Sequence, residues 1–265
     1  MGLQEVVTGL VLSSTPVGEN DKRVVILTLD RGKISAFARG ARRPKSPLLA
    51  CTEPFTFGVF RLYTGRDSYT LSTVEVQNYF TELRENIEDI YTGMYFCEVA
   101  DFFTRENLEA RDMLKLLYQS LRALHAPGIE RTLVEIIFEY KMVVLNGEGM
   151  NVMRCGNCGD NKELIYLSRQ RNCAICKSCF NKLKSGHGGQ NSNPVYDCRV
   201  ISPTAIYTLQ YISTTRVEKL FSFTVTEEVR EELESIVSEY FHRVTGKEFQ
   251  SKSFLDGLMK KDFNI

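Results

Sequence analysis

Two C-x2-C pairs, Cys155-Gly156-Asn157-Cys158 and Cys176-Lys177-Ser178-Cys179, stand seventeen residues apart, and nothing else in the chain limits its folding as much. Each pair suits a tight turn that aims two sulfurs at one point, and two such pairs compose the tetrahedral four-thiolate set of a zinc ribbon. The amino terminus, Met1-Gly2-Leu3-Gln4-Glu5, lacks a basic patch followed by an apolar stretch. A cytoplasmic location is therefore expected, where thiols stay reduced and paired cysteines serve metals rather than disulfides. Four protein ligands leave no open coordination position, so one structural Zn2+ is expected and not a catalytic one. Cys173 competes for a place, since Cys173 and Cys176 also read C-x2-C. The longer loop is preferred because it leaves residues 165–168 room for a strand.

The amino-terminal third reads differently. Val6 to Leu12, Val24 to Leu29, Ile34 to Ala38, Phe55 to Tyr63 and Tyr69 to Val76 are five short runs rich in β-branched and aromatic residues. Pro16 and Gly18 break the chain after the first, and Asp30-Arg31-Gly32-Lys33 makes a tight turn with Gly32 at positive φ. Five strands without an intervening helix fit a five-stranded oligonucleotide-binding (OB) barrel. From about Asn86 the apolar period becomes helical, as in Ile90, Met94, Cys97 and Phe103 or Leu114, Leu117, Leu121 and Leu124. Ser202-Pro203 and Thr226-Glu227-Glu228 start further helices. The fold class is thus α+β: a barrel over 1–80, a helical domain from 81–150 and 200–265, and a four-cysteine zinc ribbon inserted at 151–199.

Charge is segregated along this skeleton. The chain is neutral overall, with 33 cations against 33 acids, yet residues 22–66 hold ten Lys and Arg against two acids. The densest part is Ala38-Arg39-Gly40-Ala41-Arg42-Arg43-Pro44-Lys45-Ser46. Gly40 frees the backbone and Pro44 prevents a helix, so a basic loop is expected after the third strand. Alone it would pass for a solvated surface loop; on an OB barrel it suits a phosphate backbone, with Phe37, Phe60, Tyr63 and Tyr69 as candidates for base stacking. Residues 81–150 carry 13 acids against seven cations, which suits structural support and protein contact. No phosphate loop, dinucleotide fingerprint, His-Glu-x-x-His or Gly-x-Ser-x-Gly occurs, so a binding protein is expected rather than an enzyme, with no small-molecule substrate. No apolar run of about 18 residues suggests a membrane span.

Assembled, these residues resemble the RecO family of bacterial recombination mediators nearly end to end. The resemblance rests on Gly18-Glu19-Asn20-Asp21, Leu27-Thr28, Gly32-Lys33, the basic loop, Phe55-Thr56, the four ribbon cysteines and Ser251-Lys252-Ser253-Phe254-Leu255. It implies an OB barrel, a helical body and a zinc module acting in recombinational repair. It also implies binding to single- and double-stranded DNA, annealing of complementary strands, and contact with single-strand-binding protein and a RecR partner so that recombinase can load, in association with the nucleoid. Counted from Ser168, the family register places the second cysteine pair at Cys176 and Cys179, where members usually have two glycines in the turn that here reads Asn172-Cys173. The residues expected to meet phosphates are Lys22, Arg23, Lys33, Arg39, Arg42, Arg43 and Lys45. The rival reading is a transcription or translation factor with barrel and ribbon that reads base sequence; a zinc hydrolase would need a vacant coordination position.

Overall fold

The computed structural model describes residues 3–65, 68–185 and 197–262. His187 lies outside them. Contacts group the chain into two compact units, Met1–Val134 with Lys247–Ile265, and Glu135–Gly246. The helices are therefore divided between the two units.

In the first unit, β1 (Gln4–Val17), β2 (Asp21–Thr28), β3 (Gly32–Ala38), β4 (Phe57–Thr64) and β5 (Tyr69–Asn78) close a barrel in the order β1-β2-β3-β5-β4. Neighbours are antiparallel except β3 and β5, which meet in parallel at Ala36 with Tyr69 and Phe37 with Thr70. This is the OB arrangement. Its interior holds Val11, Val24, Ile26, Ile34, Ala36, Phe60 and Leu62. Fully burying side chains such as Phe60 and Leu62 stabilises the barrel by about 1.5–3 kcal/mol each. A four-residue helix, α1 (Leu48–Cys51), adds Leu48 and Cys51 to that core.

β1 extends further than the sequence indicates, through Pro16 to Val17. A register shift between Val11 and Ser13 bends it, and beyond that point β2 is its strand partner while β4 pairs only with Gln4 to Leu10. One edge of the strand has no strand partner there among the described residues, a position where a residue without an amide hydrogen is tolerated.

The barrel is backed by α2 (Ile87–Phe103) and α3 (Arg111–Leu124). Asn86 begins α2, its side chain accepting the Glu88 amide at 2.8 Å. Tyr118 of α3 packs edge-on against Phe57 and Phe80, with ring centres 4.7 and 5.2 Å away. This cover explains why Leu27 is buried although Val24 and Ile26 already supply the inward face of β2. Helix α4 (Arg131–Leu145) begins by pairing Arg131 with Glu88 and Asp89 of α2.

In the second unit, β7 (Cys173–Cys176), β6 (Leu164–Ser168) and β8 (Cys198–Val200) form a sheet with β6 central. Helix α5 (Lys177–Ser185) packs on it, Phe180 stacking on Tyr166 at 3.6 Å. Helix α6 (Pro203–Thr214) starts at Ser202, whose hydroxyl accepts the Ala205 amide. Buried Lys141 of α4 donates to the carbonyls of Ile212, Ser213 and Thr215, satisfying the end of α6. Helix α7 (Glu227–Thr245) ends on Gly246 at φ 56. Helix α8 (Gln250–Asp262) belongs to the first unit again and lies on α2: Ser251 Oγ donates to Glu98 at 2.6 Å, Phe254 stacks on Tyr91 at 4.4 Å, and Leu255 is buried. No helix among the described residues is long and apolar enough to cross a membrane.

Two glycines at positive φ differ in their surroundings. A Cβ on Gly32 (φ 64) would lie 2.0 Å from the Arg105 carbonyl oxygen, whereas one on Gly246 would meet nothing within 4 Å. Gly32→Ala is therefore expected to lower stability by roughly 2–4 kcal/mol, since backbone strain and a backbone clash add. Gly246→Ala should cost only about 1–2 kcal/mol of left-handed strain. Urea unfolding midpoints measure the difference.

Candidate nucleic-acid interface and metal centre

The basic loop follows from how β3 ends. Gly40 turns the chain at φ 68, and Ala41 is fully buried in the barrel core beside α1. One small apolar side chain facing in leaves its neighbours facing out: Arg39, Arg42, Arg43, Pro44 and Lys45 are all exposed. Among the described residues, Arg39, Arg43 and Lys45 have no ion pair, and the Arg42 guanidinium donates to the Gly18 carbonyl at 3.0 Å rather than to an acid. The loop is internally turned, with the Arg43 amide donating to the Gly40 carbonyl and the Ser46 amide to that of Arg43.

Arg23 is exposed on the outer face of β2 and donates to Ser35 Oγ at 2.7 Å. Directly across the ladder stands Phe37, half-buried and on the same face. Beside them a cleft of about 270 Å3 is lined by Arg23, Val25, Lys33, Ser35, Asp101 and Glu106, among others. Of the other aromatic candidates, Phe60 is in the core and Tyr69 packs against it, while Tyr63 is exposed on β4.

Lys22 and Lys33 are placed differently from the other five cations. Lys22 belongs to the inward set of β2 with Val24 and Ile26 and is only 8% exposed. Its ammonium donates to Thr52 Oγ1 at 3.3 Å and to the Glu53 carboxylate at 2.5 Å. Lys33 reaches the end of α2, donating to the Asp101 carboxylate at 2.8 Å and its carbonyl at 2.7 Å. Both charges are thus held by carboxylates. Several acids of the helical layer are similarly committed: Glu88 and Asp89 hold Arg131, and Glu98 holds Ser251.

Sequence reasoning missed the residues that hold the loop. Asp21 accepts the Gly40 amide at 2.7 Å, and the Asn20 carbonyl accepts the Arg42 amide at 2.9 Å. The signal was the turn Gly18-Glu19-Asn20-Asp21, whose polar groups have no role within β1 or β2 themselves.

In the second unit, the sulfurs of Cys155, Cys158, Cys176 and Cys179 all lie within 4.8 Å of one another. Cys158 and Cys176 are 3.7 Å apart, close to the roughly 3.8 Å edge of a tetrahedron with metal–sulfur bonds of about 2.3 Å. Amides of Asn157 and Cys176 point at Cys155 Sγ, the Cys179 amide at Cys176 Sγ, and the Asn157 side chain at Cys179 Sγ. Burial opposes ionisation of Cys155, but hydrogen bonds from the amides of Cys176, Cys158 and Asn157 outweigh it and bring the thiol down to about 6. Burial also opposes Cys176, where Ser178 and the Cys179 amide prevail and lower it. For Cys158 the Asp160 amide acts downward, yet Cys179, burial and the other two cysteines carry it up to about 12. Two thiolates in one pocket thus make further ionisation costly unless a cation shares the site. The donor set fits a bound metal ion.

Cys173 stays outside the set. It is buried in β7, and a Cβ on Gly156 would fall 2.3 Å from its sulfur. Cys173 is thus packing beneath the first cysteine turn. Asn172 occupies the left-handed region (φ 51) that suits glycine, and its side chain accepts from Arg243 at 2.7 Å. Of the ribbon cations, Arg169 and Arg199 share Glu239.

Two family models match the chain: one described as Recombination protein O N terminal over residues 1–80, and one described as Recombination protein O C terminal over residues 84–253. A DNA repair protein RecO from Acetivibrio thermocellus is 29% identical over 252 residues, which cover 95% of this chain and 96% of that one. The protein of the same name from Bacillus pumilus is 29% identical over 255 residues, covering 96% and 94%. That from Alkaliphilus metalliredigens is 33% identical over 172 residues, covering 64% and 70%.

Elemental analysis of the purified protein is expected to find one metal ion per chain. Cys176→Ser should lose it, whereas Cys173→Ser, which removes a packing sulfur and no ligand, should retain it.

Proposed function

The chain belongs to the RecO family of DNA repair proteins, and from that premise we propose that it is a non-enzymatic recombination mediator. It binds single- and double-stranded DNA, anneals complementary strands, and helps recombinase replace single-strand-binding protein with a RecR partner. The observation that carries this reading is the set of exposed cations, Arg39, Arg42, Arg43 and Lys45, that have no carboxylate partner among the described residues. Arg23 extends it along the outer face of β2, where Phe37 offers an aromatic surface to a base. Lys22 and Lys33 are left out of the phosphate-binding set because Glu53 and Asp101 already hold them.

Contacts confined to phosphates and one stacked base leave the other base edges free to pair with an incoming strand. Annealing then needs no nucleotide hydrolysis. In this proposal the barrel of residues 1–80 carries DNA. The helices of 81–150 and 200–265 meet partner proteins. The ribbon of 151–199 is a module held by one structural Zn2+, the ion whose preference for four thiolates matches Cys155, Cys158, Cys176 and Cys179.

Binding should weaken as salt rises, because each neutralised phosphate releases counterions. Replacing both Arg43 and Lys45 by Ala is expected to reduce the slope of log K against log salt by about 1.4, at roughly 0.7 per phosphate on single strands. Affinity should fall equally for scrambled oligonucleotides; a loss confined to one sequence would favour base readout. Phe37→Ala should weaken single-strand binding by about 1–3 kcal/mol. A fluorescent annealing assay without ATP, with and without single-strand-binding protein, tests the activity itself.

A further inference from the structure

Two consecutive residues of β2 hold the two ends of the basic loop. At its entry, the Asp21 carboxylate accepts the Gly40 amide at 2.7 Å, the Asn20 carbonyl accepts the Arg42 amide, and the Gly18 carbonyl accepts the Arg42 guanidinium. Beyond its exit, Lys22 donates to Thr52, the residue that ends α1, and to Glu53. Strand alternation makes this possible: adjacent residues point to opposite faces, so Lys22 turns into the barrel end while Asp21 turns toward the loop. Between the two anchors, Ala41 and Leu48 are buried in the core. A loop rich in like charges, which repulsion would spread, is thereby kept in one conformation.

We propose that Asp21 and Lys22 are positioning residues that pre-organise the cationic loop for a nucleic-acid phosphate backbone, although neither touches it. The inference rests on the reading that the loop binds DNA. Ordering the loop before binding removes an entropic cost that each DNA encounter would otherwise bear. It also explains a carboxylate beside the cations of a phosphate site: the Asp21 charge repels an incoming phosphate, and its hydrogen bond to the Gly40 amide is the compensation.

That conflict of signs supplies the test. Asp21→Asn removes the charge and keeps a side-chain oxygen able to accept the Gly40 amide, so DNA affinity should hold or rise. Asp21→Ala removes charge and acceptor together, and affinity should fall about fivefold, the effect of one lost hydrogen bond. Amide hydrogen exchange at Gly40 should quicken in the Ala variant and stay slow in the Asn variant, with no DNA present. If both variants bind DNA more tightly than the parent, or both leave affinity and exchange unchanged, Asp21 does not position the loop.

Lys22→Met should weaken binding with the salt slope unchanged. A slope smaller by about 0.7 would make Lys22 a phosphate contact instead. The reading beneath the inference fails separately: if replacing Arg43 and Lys45 leaves DNA binding intact, the loop is not the site, whatever exchange shows at Gly40.

Discussion

The first unit depends on a very short piece of parallel pairing. Among the described residues β3 and β5 meet at two residue pairs, Ala36 with Tyr69 and Phe37 with Thr70, yet without them the barrel is an open sheet with two exposed edges. The contact falls at the last residues of β3, so the chain leaves the sheet at the place where the barrel closes. Ala41, Leu48 and Cys51 then turn back into the core. The cationic segment lies between these inward-turning residues, and its charges face out because its few apolar side chains face in.

Net neutrality hides how the charges are used. Four acids of α2 are occupied by specific partners: Asp101 by Lys33, Glu88 and Asp89 by Arg131, Glu98 by Ser251. These pairs fasten α2 to the barrel, to Arg131 and to α8. The loop cations Arg39, Arg43 and Lys45 lack such partners among the described residues, so local surplus rather than total charge sets the character of the barrel end.

Much of this was legible in the residues. Strand alternation located the barrel, and helix signals at Asn86, Ser202 and Thr226 marked real starts, although the Thr226 side chain makes no cap hydrogen bond. The cysteine spacing selected the four sulfurs that converge. What a linear reading could not assign was the side on which a charge falls. Lys22 counts as a cation in any tally, but alternation with Val24 and Ile26 sends it inward to Glu53. Pro16 looked like a strand end because nothing local says that one edge of β1 loses its partner. The Ser251-to-Leu255 segment gave no hint of its use, since its hydrogen-bond partner Glu98 lies 153 residues away.

That last contact bears on the order in which the molecule is built. α8 completes the first unit by covering part of α2, yet 112 residues of the other unit, Glu135 to Gly246, lie between. During synthesis the barrel strands emerge early, while Tyr91 of α2 waits for Phe254 and Glu98 for Ser251. One face of α2 therefore stays open to solvent or to a chaperone until the whole of the other unit has left the ribosome, and an early-made helix is finished by one made much later.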